Sequence, residues 1–174
     1  MLRTRCFRLG TGLFALLTAI VSLAPAADGK IELRTVKYDG LVKEIRAQKG
    51  KIIIVDVWAQ YCVPCKKEFP HLVAMQKKYG DKGLVAISVS LDDVKDQESR
   101  TRAVEFLEKV KANDVINLLL DEEAEVWQAK FKIDGPPVVY VFDRDNRIVL
   151  KMPVGDTAVD YAVIEQKVQE LLKK

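Results

Sequence analysis

The chain has 174 residues, of which 49% are hydrophobic, with 28 basic and 25 acidic side chains. This length and apolar content suit one domain with a hydrophobic core. Three of the basic residues, Arg3, Arg5 and Arg8, precede residue 27, and without them the charges balance at 25 to 25. A neutral domain argues against nucleic acid as a partner.

Residues 1–26 have the pattern of a secretory signal peptide. The arginines are followed by an uncharged run from Leu9 to Pro25, and small residues end the segment, as a signal peptidase requires. Because the run is shorter than the roughly 20 apolar residues that span a bilayer, cleavage near Ala26 or Ala27 is favoured over a retained anchor. Cys6 would be lost with the leader. The prediction is one periplasmic domain from 27 to 174.

Apolar periodicity predicts alternating strands and helices along the rest of the chain. Strands are expected at 31–36, 52–57, 84–90, 115–120, 138–142 and 148–152. Helices are expected at 41–48, from the cysteines to 79, and at 97–112, 122–131 and 160–172. Asp39 and Asp121 are expected to cap the helices that follow them. On the last helix, the residues expected to face inward are Val163, Ile164, Val168, Leu171 and Leu172. This order predicts an α/β domain, with helices on both faces of a mixed sheet that is parallel at its centre.

Two cysteines follow the second predicted strand, where a helix begins. The N–H groups and the positive dipole end of that helix favour the thiolate of Cys62. Cys65 falls on the same helical face and can attack a mixed disulfide formed at Cys62. A bridge across so short a loop constrains the unfolded chain by only about 2 kcal/mol. The pair therefore predicts a redox couple rather than a structural crosslink.

The cysteine segment also resembles a known family. DVWAQYCVPC, from Asp56 to Cys65, is similar to the active-site segment of the thioredoxin superfamily, and KKEFP, from Lys66 to Pro70, is similar to its TlpA/ResA branch. The insertion around 92–121 fits the same branch. Over roughly 30–174, the resemblance implies a thioredoxin-like fold and a redox-active Cys62–Cys65 disulfide with no other cofactor.

Gly135-Pro136-Pro137-Val138 is similar to the cis-proline segment of that family. On this register the resemblance implies a cis Pro136–Pro137 bond, with the backbone of Pro136 open to an extended substrate segment. Pro136 lacks the N–H that most residues at this place donate, a departure that weakens or narrows partner binding. A simple turn is the alternative, since Pro-Pro is common in turns.

Asp56 and Glu68 are the candidate bases. Asp56 either reaches solvent at a strand end or is buried near Cys65 with a raised pKa. By the resemblance, it matches the buried thioredoxin acid that accepts the proton of the second cysteine. Glu68 lies three residues after Cys65 and matches the active-site glutamate of ResA-like proteins; otherwise it is an exposed glutamate paired with lysine. Asp56 is the favoured base, with Glu68 modulating it.

Trp58 and Tyr61 flank the cysteines and either shape an apolar contact surface or, for Trp58, fill the core under the helix. The predicted substrate-binding residues are Trp58, Tyr61, Val63, Pro64, Pro136 and Pro137.

No metal site is expected, because a structural zinc takes four ligands and only His71 accompanies the two cysteines in the mature chain. His71 is expected to be a half-exposed helix residue.

These features predict a monomeric, extracytoplasmic thiol-disulfide oxidoreductase that reduces disulfides of exported proteins. The resemblance implies the haem-binding cysteines of apocytochrome c as candidate substrates and a membrane-embedded electron donor.

Three alternatives to this function remain. A peroxiredoxin-type peroxidase needs a Pro-x-x-x-Thr-x-x-Cys setting that Asp56 to Cys62 does not supply. A copper-handling protein of the Sco type needs wider cysteine spacing and a downstream histidine. The third is a noncatalytic binding module that has kept the fold.

Overall fold

A computed structural model describes residues 30–153 and 158–173 of the chain. Its strands are β1 (Leu33–Val36), β2 (Ile52–Trp58), β3 (Leu84–Ser90), β4 (Ile116–Leu120), β5 (Val138–Phe142) and β6 (Ile148–Met152). Its α-helices are α1 (Tyr38–Ala47), α2 (Val63–Tyr79), α3 (Gln97–Lys109), α4 (Ala124–Phe131) and α5 (Tyr161–Leu172). The predicted signal peptide, with Cys6 and the cleavage point, lies outside the described residues.

The strands form one sheet in the order β1-β4-β3-β2-β5-β6. β1, β4, β3 and β2 are parallel, whereas β5 and β6 run antiparallel to their neighbours. β2 lies between a parallel and an antiparallel partner, and all seven of its residues are buried. The predicted mixed sheet is confirmed, and the strand that leads to the cysteines lies within it.

Helices cover both faces of this sheet, as predicted. Side chains alternate along β2, so Asp56 and Trp58 point to one face and Val55 points to the other. On the first face, Phe69 of α2 and Phe106 of α3 contact Trp58 with their rings, and α5 packs against α2 and β2. On the second face, residues of α1 and α4 line a pocket together with Val55. Asp56 and the cysteine-bearing helix α2 therefore lie on the first face.

Two predicted helix caps are wrong. α1 begins at Tyr38, so Asp39 lies inside its first turn. The backbone N–H of Tyr38 donates instead to the carboxylate of Glu122 at 2.9 Å, which satisfies a helix-end donor from a distant part of the chain. Asp121 does not cap α4 either, because this helix begins at Ala124 and its N-cap residue is Glu123. The N–H of Asp121 donates to the carbonyl of Val36 at 2.8 Å and keeps the residue beside β1.

α5 begins one residue later than predicted and turns its apolar face differently. Asp160 caps it by accepting hydrogen bonds from the N–H groups of residues 162 and 163. The buried side chains are those of Tyr161, Ile164 and Val168. Val163 is exposed, so its predicted inward orientation is wrong, while Leu171 and Leu172 are half-buried.

None of the helices in the described ranges is long and apolar enough to cross a membrane.

Candidate active site

The two cysteines lie where the predicted strand and helix meet. β2 ends at Trp58, a short turn follows, and Cys62 is the N-cap residue of α2. Its sulfur accepts a hydrogen bond from the N–H of Cys65 at 3.2 Å, and the two residues form a disulfide with their Cα atoms 5.3 Å apart. A sulfur held against helix-end N–H groups is stabilised as a thiolate once the bridge is reduced.

The residues on either side of Cys62 are the exposed part of this segment. Tyr61 is 65% exposed and Val63 is 73% exposed, and Pro64 is also exposed. Cys62 keeps 6% exposure and Cys65 keeps 3%. An approaching polypeptide therefore meets an apolar rim first and the edge of the disulfide within it.

Trp58 does not belong to that rim. It is fully buried, with its ring centroid 5.2 Å from that of Phe69 and 5.1 Å from that of Phe106. Three aromatic rings from β2, α2 and α3 thus pack together beneath the cysteine loop. The predicted substrate-contact role of Trp58 is wrong, and its core-filling alternative is correct.

A cavity of about 430 Å³ behind the disulfide brings several predicted residues together. Cys65, Pro64, Pro137, Asp56 and Glu68 all line it. The Pro136–Pro137 peptide bond is cis, which confirms that prediction, and both prolines are half-buried. The Met152–Pro153 bond is cis as well, and Pro153 lines the same cavity; no residue pattern had singled it out.

Asp56 is a buried acid with one polar partner in the described part of the chain. It is 3% exposed, and the hydroxyl of Tyr161 donates to its Oδ2 at 2.5 Å. Burial raises the pKa of Asp56 to about 7, against the opposing effect of the Tyr161 hydrogen bond. Tyr161 is buried as well, and its burial, together with the neighbouring Asp56 carboxyl group, raises the pKa of Tyr161 well above its ordinary value. Of the two readings of Asp56, the structure supports the buried acid near Cys65.

Glu68 is at the mouth of the cavity rather than inside it. Its side chain is 32% exposed, and its Oε2 lies 3.6 Å from Nε2 of His71. The exposed His71 ring stacks on Tyr161 with 5.6 Å between ring centroids. Within the described ranges, no group of three or more histidine, cysteine or acidic side chains could hold a metal ion.

Sequence reasoning missed Asp92 and Tyr161. Asp92 is 3% exposed and accepts hydrogen bonds from the N–H of Gln60 and the hydroxyls of Ser90 and Ser99. It therefore ties the turn before Cys62 to β3 and α3. The available signal was its place, two residues after the end of β3, which pairs with β2. No local signal pointed to Tyr161, which is 105 residues from Asp56.

The chain resembles several known proteins. Thioredoxin-like protein YneN of Bacillus subtilis is 27% identical over 67% of this chain and 64% of its own length. Thiol-disulfide oxidoreductase ResA of the same organism is 24% identical over 61% of this chain and 55% of its own length. The chain thus spans less than two thirds of the length of these two relatives.

Solved structures share the fold. The thioredoxin domain of a thiol-disulfide oxidoreductase from Bacteroides vulgatus is 28% identical, with a TM-score of 0.53, over 71% of this chain and 83% of that one. A thiol:disulfide interchange protein from Bacteroides sp. is 30% identical, with a TM-score of 0.52, over 71% and 76%. The family model described as AhpC/TSA matches residues 24–151, most of the chain. With this match and a thioredoxin-like fold, the chain belongs to the AhpC/TSA family.

Proposed function

We propose that this protein is a thiol-disulfide oxidoreductase that reduces the disulfides of exported proteins. The observation that carries the proposal is the Cys62–Cys65 bridge, formed at the first turn of α2 with the sulfur of Cys62 at the helix end. Exposed Tyr61 and Val63 beside it offer contacts to a polypeptide. One relative and two solved structures are named as thiol-disulfide oxidoreductases or thiol:disulfide interchange proteins, and a second relative is named as thioredoxin-like.

The reaction starts from the reduced enzyme. The Cys62 thiolate attacks one sulfur of a substrate disulfide, whose S–S bond breaks and releases one substrate thiolate. Cys65 then loses its proton and attacks the sulfur of Cys62. The mixed disulfide breaks, the second substrate thiolate leaves, and the Cys62–Cys65 bridge forms. Two electrons have moved from the enzyme to the substrate, and the departing thiolates take up protons.

Asp56 is the proposed acceptor of the Cys65 proton. Both residues line the cavity behind the disulfide, and a carboxyl group with a pKa of about 7 can take and return a proton near neutral pH. Glu68, at the mouth of the cavity, modulates this exchange. Tyr61, Val63 and Pro64, together with the Pro136–Pro137 segment, form the proposed substrate surface.

The cellular setting is part of the proposal. The leader pattern of residues 1–26 supports export, and the resemblance to the TlpA/ResA branch suggests apocytochrome c cysteines as substrates and a membrane-embedded electron donor. Fractionation of cells that make the full chain, with N-terminal sequencing, tests both export and cleavage near Ala26. A cytoplasmic protein with an intact N-terminus would contradict this setting.

Cysteine variants test the activity. With dithiothreitol as electron source, the wild-type protein is expected to reduce insulin disulfides, and Cys62→Ser is expected to lose this activity completely. When pre-reduced Cys65→Ser is mixed with a disulfide substrate after the dithiothreitol has been removed, a covalent adduct is expected to accumulate, because the attack by Cys65 that releases it is missing. Full activity of Cys62→Ser would overturn the assignment of roles. Hydrogen peroxide turnover faster than disulfide reduction would favour the peroxidase alternative.

The direction of electron flow is set by the reduction potential. Equilibration of the Cys62/Cys65 pair against glutathione buffers measures it directly. A value near that of thioredoxin, about −270 mV, is expected for a reductant. A value near about −120 mV would instead identify an oxidant of exported proteins.

A further inference from the structure

We propose that Tyr161 is a positioning residue of the redox site, whose hydroxyl holds one carboxyl oxygen of Asp56 and leaves the other to accept the proton of Cys65. The inference rests on the proposed function and assigns a role to a residue of α5, far from the cysteine segment in sequence.

The geometry carries the inference. The hydroxyl of Tyr161 donates to Oδ2 of Asp56 at 2.5 Å, and both side chains are buried. Both also line the cavity that Cys65 lines. In the described part of the chain, Tyr161 is the one donor to this carboxyl group. A single donor fixes the rotation of the carboxyl group while its second oxygen stays available to the cavity.

The remaining groups around Asp56 do not replace this contact. On α2, the titratable or charged side chains that line the cavity are Cys65, Lys67 and Glu68. On the neighbouring strands, Ser88 and Val139 are the residues aligned with Asp56, and neither titrates near neutral pH. Ser88 directs its hydroxyl to Asn117. His71 stacks on a face of the Tyr161 ring, and the Tyr161 hydroxyl donates to Asp56.

The direction of the effect follows from the chemistry. A hydroxyl that donates to a carboxylate stabilises the ionised form and lowers the pKa of the acid, and Tyr161 acts on Asp56 in this sense. Tyr161→Phe removes the donor and keeps the ring. The pKa of Asp56 is then expected to rise further above 7, so less of the base is ionised at and below neutral pH.

The test separates the second step of the reaction from the first. Reduced protein reacts with dithiobis-nitrobenzoate in two phases: attack by Cys62, then release of the second chromophore by Cys65. In Tyr161→Phe, the pH midpoint of the second phase is expected to move up by about one unit, because a hydrogen bond to a charged group is lost. The second phase therefore slows about tenfold at pH 6 and little above pH 9.

A matched control is available where α5 contacts α2. The hydroxyl of Tyr79 donates to the carboxylate of Glu165 at 2.6 Å, and neither residue lines the cavity of Cys65. Tyr79→Phe also removes a phenol–carboxylate hydrogen bond, but it is expected to leave the midpoint of the second phase unchanged. An equal shift in both variants would overturn the proposal, since it would reflect a general loosening of α5.

A direct titration keeps the inference separate from the enzymatic proposal. Carbon-13 NMR of labelled aspartate carboxyl groups, assigned with Asp56→Asn, reports the pKa of Asp56 whether or not the protein reduces a substrate. An upward shift in Tyr161→Phe supports the proposal. An unchanged titration, or an unchanged second phase, overturns it, while an inactive wild type with a shifted titration would contradict only the proposed function.

Discussion

Asp56, in β2, and Asp92, in the loop after β3, are two equally buried carboxyl groups, each 3% exposed. Their surroundings differ. The carboxylate of Asp92 accepts from Gln60, Ser90 and Ser99, with its shortest contact at 2.6 Å to the hydroxyl of Ser90. Asp56 has Tyr161 as its donor in the described residues, and both side chains line the cavity behind the disulfide.

The contrast shows how burial can serve either structure or chemistry. A buried carboxylate surrounded by donors has its desolvation offset by hydrogen bonds, and it orders the groups that donate to it. A buried carboxyl group with one donor stays poised between its two protonation states, because burial disfavours the charge. We therefore expect Asp92 to hold the cysteine loop in place and Asp56 to exchange protons.

The largest effect, a loss of stability, is expected for Asp92→Ala. It leaves the N–H of Gln60 and two buried hydroxyls without their acceptor, and should lower the free energy of unfolding by about 3–6 kcal/mol. Urea denaturation of the oxidised protein measures the change. Asp93→Ala is the control, because the neighbouring Asp93 is exposed and should cost less than about 1 kcal/mol. Equal stabilities for the two variants would remove the structural role of Asp92.

Asp56→Asn is expected to act in the opposite direction. The pKa of Asp56 lies at about 7 in the folded protein, against an ordinary value of 3.8. As the pH rises from 4 to 7, the unfolded chain loses this proton before the folded one does, so the fold loses stability. Asparagine removes that cost.

The expected gain is about 2 kcal/mol at pH 8, within the upper limit of about 4 kcal/mol that the pKa difference sets. It should vanish near pH 4, where the carboxyl group is protonated in both states. Thermal or urea unfolding across this pH range measures it. A variant less stable than wild type at pH 8 would show that the carboxyl group of Asp56 stabilises the fold, as the hydrogen bonds of Asp92 do.

Much of the site could be predicted because its signals are local. The Cys62–Cys65 pair, the strand before it and the Pro136–Pro137 segment are short motifs, and the apolar neighbours of Asp56 in β2 made its burial one of two alternatives. The predicted cap at Asp39 is wrong because the N–H of Tyr38 finds its acceptor in Glu122, 84 residues away. Propensity at Asp39 cannot reveal a partner from another element.

The rest depends on contacts between distant segments. Trp58 packs against both Phe69 and Phe106. Phe106 belongs to a helix that begins after β3, and nothing near Trp58 in the sequence indicates this second contact. Tyr161 and Asp92 acquire their importance through partners across the fold. In both cases the residue type is ordinary, and only the topology of the sheet brings it to the site.

The smallest effect, on the rate of the second step, is expected for Glu68→Gln. This variant extends the contrast between Asp56 and Asp92 to a third acid. The Glu68 side chain is 32% exposed and faces His71 across 3.6 Å, so water solvates its charge and the change in charge is largely screened. The release of the second chromophore by Cys65 should slow less than about threefold. Asp56→Asn should slow it at least about tenfold, because a proton acceptor within the cavity is lost.

Both variants keep the shape of the side chain, so the difference between them isolates the effect of charge and burial. Lys67→Gln, on the neighbouring position of α2 and the same cavity, is the control for a change of charge that removes no acceptor. If Glu68→Gln slowed the second step as much as Asp56→Asn, the solvated acid would be the base. Burial of a carboxyl group would then have no special value for proton exchange at this site, and the contrast between Asp56 and Asp92 would be one of structure alone.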